Sequence, residues 1–255
     1  MTQPQEPNEA THPDMFRYYQ NGRALQSKGQ HQQALESFQN CIKSTDILGV
    51  MQYQDIMMCI AFCHADLSQF EQAISIYEKL DRVLSFEGEW YKELGKQKLI
   101  VPASFPTSNT ATMVKAKVYD SMGIAYDRMR KADEAKSAFG KAIRHYRSLD
   151  DMGSIANTFN MMSMGYQIRE DWGGMKKLGD YVLQVADKLE AEGKNVMPIR
   201  FNGWRLIIQA STNLGDLKTS VVYQEKVVDF MRQTNNPQLP HFAKILEATK
   251  RQLGQ

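Results

Sequence analysis

One spacing recurs along this chain: an alanine, an aromatic four residues later, and a small or apolar residue three beyond that. The clearest copy is Ala135, Phe139 and Ala142, in ADEAKSAFGKAI. Two more are Ala34, Phe38, Cys41 and Ala73, Tyr77, Leu80. Residues at i, i+4 and i+7 share one face of an α-helix, so each copy requires a helix with a narrow seam of small and aromatic side chains. A second seam precedes each one: Tyr119, Gly123, Tyr126; Tyr18, Gly22, Leu25; and Met57, Ala61. Two weaker copies follow, Phe159, Ser163, Tyr166 with Trp172, Met175, Gly179, Val182, and Trp204, Ile208 with Ser220, Val227.

A small residue in each helix lets two helices approach closely, and the aromatics are expected to fill the space between neighbouring hairpins. No such hairpin buries its apolar face alone, so stacking is obligatory. The paired pattern resembles the tetratricopeptide repeat, W-x2-L-G-x2-Y followed by A-x3-F. The resemblance implies an all-α fold, a right-handed superhelical solenoid of about five helical hairpins. It would form a single domain over residues 14–253. Residues 1–13, polar and carrying Pro4, Pro7 and Pro13, read as a disordered tail.

The repeat interval is 39 residues from Ala34 to Ala73, 40 from Ala135 to Met175 and 45 from Met175 to Ser220. These exceed the usual 34 and call for longer helices. Extended repeats of this kind resemble those of kinesin light chain, rapsyn and the spindle adaptors that bind G-protein subunits. From Ala73 to Ala135 the interval is 62, and the surplus lies near residues 88–111. Its first part extends a helix through about Gln97. Its second part, with Pro102, Pro106 and the Thr-Ser-Asn-Thr run, reads as loop. The insertion reads as a flexible surface segment, the alternative being that Leu99, Ile100, Val101 and Phe105 fold back over the groove or form a partner site. After Pro240, Phe242, Ile245 and Leu246 share a face with Leu253 one residue off it, the profile of a capping helix.

Chemistry is not signalled. The chain lacks phosphate-loop, dinucleotide, zinc-protease and nucleophile-elbow motifs. Cys59 and Cys63 share a helical face beside His64, but no second pair lies at metal-site spacing, so they read as buried structural thiols. His12, His31, His64, His145 and His241 are scattered, and Asp150 and Asp151 read as helix caps or solvated side chains. The expectation is no enzyme, no cofactor and no metal. Lys+Arg 31 against Asp+Glu 29 leaves too little positive charge to point to nucleic acid. No apolar run reaches a membrane span, and three cysteines suit a reducing, cytoplasmic compartment better than a disulfide framework.

The resemblance also implies where a partner binds, since in the family the first helix of each hairpin lines a concave groove. Carried over by position, the groove residues are Tyr19 and Arg23, then Asp55, Phe62 and Asp66 with Cys59. Lys117, Asp120, Asp127 and Arg128 with Ile124 follow, then Asn157, Asn160, Met164 and Gln167, and last Asn202, Arg205, Gln209 and Asn213. The chaperone-tail clamp of some family members does not carry over, because Tyr19, Arg23, Cys59, Lys117 and Ser121 occupy its positions and only Lys117 fits. Amides and guanidinium groups suit the backbone of a peptide or helix. The implied function is a protein-binding adaptor or scaffold. The alternative is a structural subunit that self-associates, as a homo-oligomer, or sits permanently in a larger complex.

Overall fold

A computed structural model describes residue 9 and residues 12–85, 99–101 and 108–254. Most of the tail at residues 1–13, the proposed helix extension through Gln97, and Phe105 lie outside the described residues. Eleven helices are present among those described: α1 Pro13–Ser27, α2 His31–Lys43, α3 Val50–Asp66, α4 Phe70–Leu84, α5 Ser108–Arg128, α6 Ala132–Ser148, α7 Met152–Ile168, α8 Trp172–Ala191, α9 Met197–Asn213, α10 Leu217–Gln233 and α11 Leu239–Gln252. The chain is all-α, built from helical hairpins of solenoid type. One minimal exception joins β1 (Ile47–Gly49) to β2 (Leu99–Val101) as a parallel pair with Leu48 opposite Ile100. The Leu99–Val101 segment therefore folds back onto the α2–α3 connection.

One further expectation is corrected. The Ser108-Asn109-Thr110 run is the first turn of α5 rather than loop. Short polar side chains are favoured where a helix starts, because they can satisfy its unpaired N–H groups. Within their own hairpins, Phe38 lies on Gly22 and Phe139 on Gly123.

The chain divides into two compact units, Met1–His145 and Tyr146–Gln255. In the first, α1 packs on α2 and α3, α3 on α4, and α4 on α5. Its core is the repeat seam itself: Ala34, Phe38, Cys41, Ala73, Tyr77, Leu80, Ala135, Phe139 and Ala142 are all buried. In the second, α9 packs on α7, α8 and α10, and α11 covers α10. Here Phe159, Met175, Val182, Ile207 and Val227 are buried. Asp151, Asp171 and Asp216 cap α7, α8 and α10 by accepting from the backbone N–H of Ser154, Gly174 and Thr219.

Eight of the inter-helix turns contain one residue of positive φ, including Gly29, Ser68, Arg130, Glu170 and Gly215. A left-handed residue just past a helix end turns the chain sharply while satisfying the last carbonyls. At α11 the packed stripe is Phe242, Leu246 and Leu253 against Val221 and Val228, with Thr249 buried between. Ile245, expected on that face, is 40% exposed. The contact follows the steps i, i+4, i+7, i+11, which selects Leu253 and excludes Ile245.

Candidate protein-binding faces

In the first unit the first helices of successive hairpins, α1, α3 and α5, bring most of the expected groove residues together, but largely against one another. The Tyr19 hydroxyl donates to the Asp55 carboxylate across α1 and α3. Burial and then this carboxylate push the Tyr19 phenol up, because both disfavour the phenolate. One turn on, Arg23 donates to Cys59 Sγ at 3.6 Å. The Cys59 thiol is held up chiefly by burial, with Arg23 acting against it. At the other end of α3, Asp66 lies 3.4 Å from His31 Nδ1 and 3.9 Å from Arg128. Tyr19 with Asp55, and Asp66 with Arg128, are thus cross-helix pairs that tie neighbouring hairpins.

Lys117 and Phe62 take no part in these pairs: Lys117 is exposed, and Phe62 is 38% exposed with its ring edge on Tyr77. Asp127 is half-buried. Asp120 is a correction, being buried at 7% rather than open to a groove. It lies only one position from Tyr119 on a helix that is covered on more than one side, and helical spacing alone does not reveal the second cover.

The second unit keeps its expected face more open. On α7, Asn157, Met164 and Gln167 are exposed and Asn160 is half-buried. On α9, Arg205 and Asn213 are exposed and Gln209 is half-buried. Arg205 has no acidic partner among the described residues. Asn202 is the second correction. It is buried, and its side-chain amide donates to the Ala156 carbonyl, locking α9 onto α7. A polar side chain enclosed between two helices is retained when it bonds a backbone group.

Sequence reasoning passed over Ile168, which is 78% exposed one turn beyond Met164 on the same face, and Tyr181, 53% exposed with its ring 6.1 Å from Phe159. The i+4 step from Met164 to Ile168 was the available signal.

Cys41, Cys59 and Cys63 are all buried free thiols. Burial pushes Cys41 up to about 12 and Cys63 up to about 11. No group of three metal-ligating side chains occurs among the described residues, and no helix there is long and apolar enough to cross a membrane.

Residues 17–45 and 116–145 match the tetratricopeptide repeat family. These stretches contain the two hairpins in which glycine and phenylalanine meet. No curated protein sequence matches the chain significantly. Among solved structures the chain is similar to that of BtubC (BKLC) from P. vanneervenii, with a TM-score of 0.51 at 13% identity. The likeness covers 84% of this chain and 78% of that one, and it concerns the fold alone.

Proposed function

We propose that this chain is a non-enzymatic adaptor or scaffold of the cytoplasm that holds a peptide or helix of another protein. Tetratricopeptide repeats generally mediate protein–protein interaction, which supports the general class. The observation that carries the finer reading is Arg205. It stands exposed with no acidic partner among the described residues, on a helix that also presents Gln209 and Asn213. The neighbouring α7 presents Asn157, Gln167 and the exposed Met164 and Ile168. Amides to bond a backbone, an unpaired guanidinium and adaptable apolar side chains together suit a helix or extended segment bearing a carboxylate.

The first unit contributes less in this reading, through Lys117 and Phe62, because its other polar residues bond each other. The long repeat interval supports a place beside the extended-repeat proteins that resemble kinesin light chain.

The test is affinity capture from lysate with the wild-type chain and with Met164→Glu/Arg205→Ala, followed by calorimetry on the purified partner. A partner that the wild type captures and the double variant binds at least about tenfold more weakly supports the reading. Equal binding by both removes this face from consideration. An oligomer of the pure chain in light scattering, dissociated by the same substitutions, would favour the self-associating subunit instead.

A further inference from the structure

A cavity of about 370 Å³ opens between α4, α5 and α6, on a side of the first unit that the proposed function does not use. On α5 it is lined by Tyr119, Met122 and Tyr126. With 3.6 residues per turn, these lie roughly opposite Lys117, Ile124 and Arg128 on the same helix.

The cavity has two ends of different character. At one, the polar groups engage one another. Tyr119 donates to Asp81 at 2.7 Å, Lys115 lies 3.9 Å from the same carboxylate, and Lys141 Nζ sits 4.8 Å from the centre of the Tyr119 ring. At the other end are Glu78, one turn before Arg82 on α4, and Glu134, two turns before Lys141 on α6. Both carboxylates are exposed and line the cavity, and neither has an ion-pair partner among the described residues. Tyr126 lies with them, since α5 runs opposite to α6. Burial, then Glu78 and Glu134, push its phenol up, in keeping with the two carboxylates lying beside the ring. Met122 and Ala138 form an apolar floor, both buried.

We propose that this cavity is a second protein-binding site that receives an arginine side chain of a partner polypeptide. The guanidinium takes the two open carboxylates and the face of Tyr126, and its methylene stem lies on Met122 and Ala138. Arginine is the matching chemistry because its planar fork bonds carboxylates and stacks on aromatic rings at once. With Arg205 in the second unit and this cavity in the first, the chain can link two partners, as a scaffold must. The two sites share no residue, so either can fail without the other.

The experiment is a titration of the full chain with N-acetyl-arginine amide, followed by the NMR methyl signal of Met122, assigned with Met122→Leu. N-acetyl-citrulline amide, the neutral isostere, is the ligand control. The expected result is a saturable shift of Met122 with the arginine probe. The apparent affinity should be at least about tenfold weaker for citrulline and for Glu78→Gln/Glu134→Gln. Glu71→Gln/Glu247→Gln, which removes equal charge elsewhere, should keep the arginine response. An unmoved Met122 signal overturns the proposal. So does an equal response to citrulline, persistence in Glu78→Gln/Glu134→Gln, or an equal loss in the control variant.

Discussion

Gly123 and Phe139 meet so closely that a methyl group placed on Gly123 would lie 2.6 Å from the phenylalanine ring. The same relationship holds between Gly22 and Phe38 at 2.7 Å. In each hairpin the ring occupies the space that a side chain on the facing helix would need. This is why glycine stands in mid-helix despite its cost of roughly 1 kcal/mol against alanine there.

Gly123→Ala should destabilise the protein by about 1–3 kcal/mol, since overpacking outweighs the gain in helix propensity. Gly140, whose nearest neighbour would be the flexible end of Arg144 at 3.8 Å, is the control. Gly140→Ala should instead stabilise by up to about 1 kcal/mol. Adding Phe139→Leu to Gly123→Ala should recover part of the loss, and a double-mutant cycle by urea denaturation reads the coupling. Additive effects would show that the ring and the glycine do not constrain each other.

Arg130 and Glu170 hold φ of 61° and 54° at the turns after α5 and α7. Side chains disfavour this region by roughly 1–2 kcal/mol, while glycine brings its own entropic penalty. Arg130→Gly and Glu170→Gly should therefore each stabilise modestly, raising Tm by about 2–4 °C for each kcal/mol gained. Calorimetry showing a lower Tm in both would mean that these turns do not hold the left-handed conformation.

Asn202→Leu should cost about 1–3 kcal/mol, because the Ala156 carbonyl loses its donor between α7 and α9. Thermal unfolding measures the loss. Faster amide exchange confined to these two helices would locate it, and unchanged exchange there would deny that Asn202 joins them.

Asp216 accepts from Lys176 Nζ at 2.8 Å and from the Thr219 N–H. The Lys176 bond first, then those to Thr219, hold its carboxyl down to about 2 against an ordinary 3.8. A depressed carboxyl contributes stability that is complete above the unfolded value and lost as pH falls through the folded one. Asp216→Asn keeps a capping side chain but removes the charge. It should be less stable than wild type at pH 6, and the gap should close as pH falls from about 4 towards 2. High salt should shrink it as well, since the pair is solvent-facing. A gap constant across that range in thermal melts would reject the assignment.

The helical hairpins and their glycine and aromatic seams were legible before any coordinates. They follow from local chemistry. A repeated i, i+4, i+7 pattern fixes which side chains share a helical face, whereas Asp151 read equally as a cap or a solvated side chain until its bond to the Ser154 N–H was seen. Tertiary structure decided what covers each face. Tyr19 and Asp55 stand 36 positions apart, so no sequence spacing reveals that they bond each other instead of a partner. Asp120 and Asn202 carry polar side chains at outward-reading positions, yet neighbouring helices bury them. Leu99–Val101 finds Ile47–Gly49 across an intervening hairpin. Periodicity orients a residue about its own helix axis. The approach and register of the next helix, set by packing along the whole contact, decide whether that orientation meets solvent or another side chain.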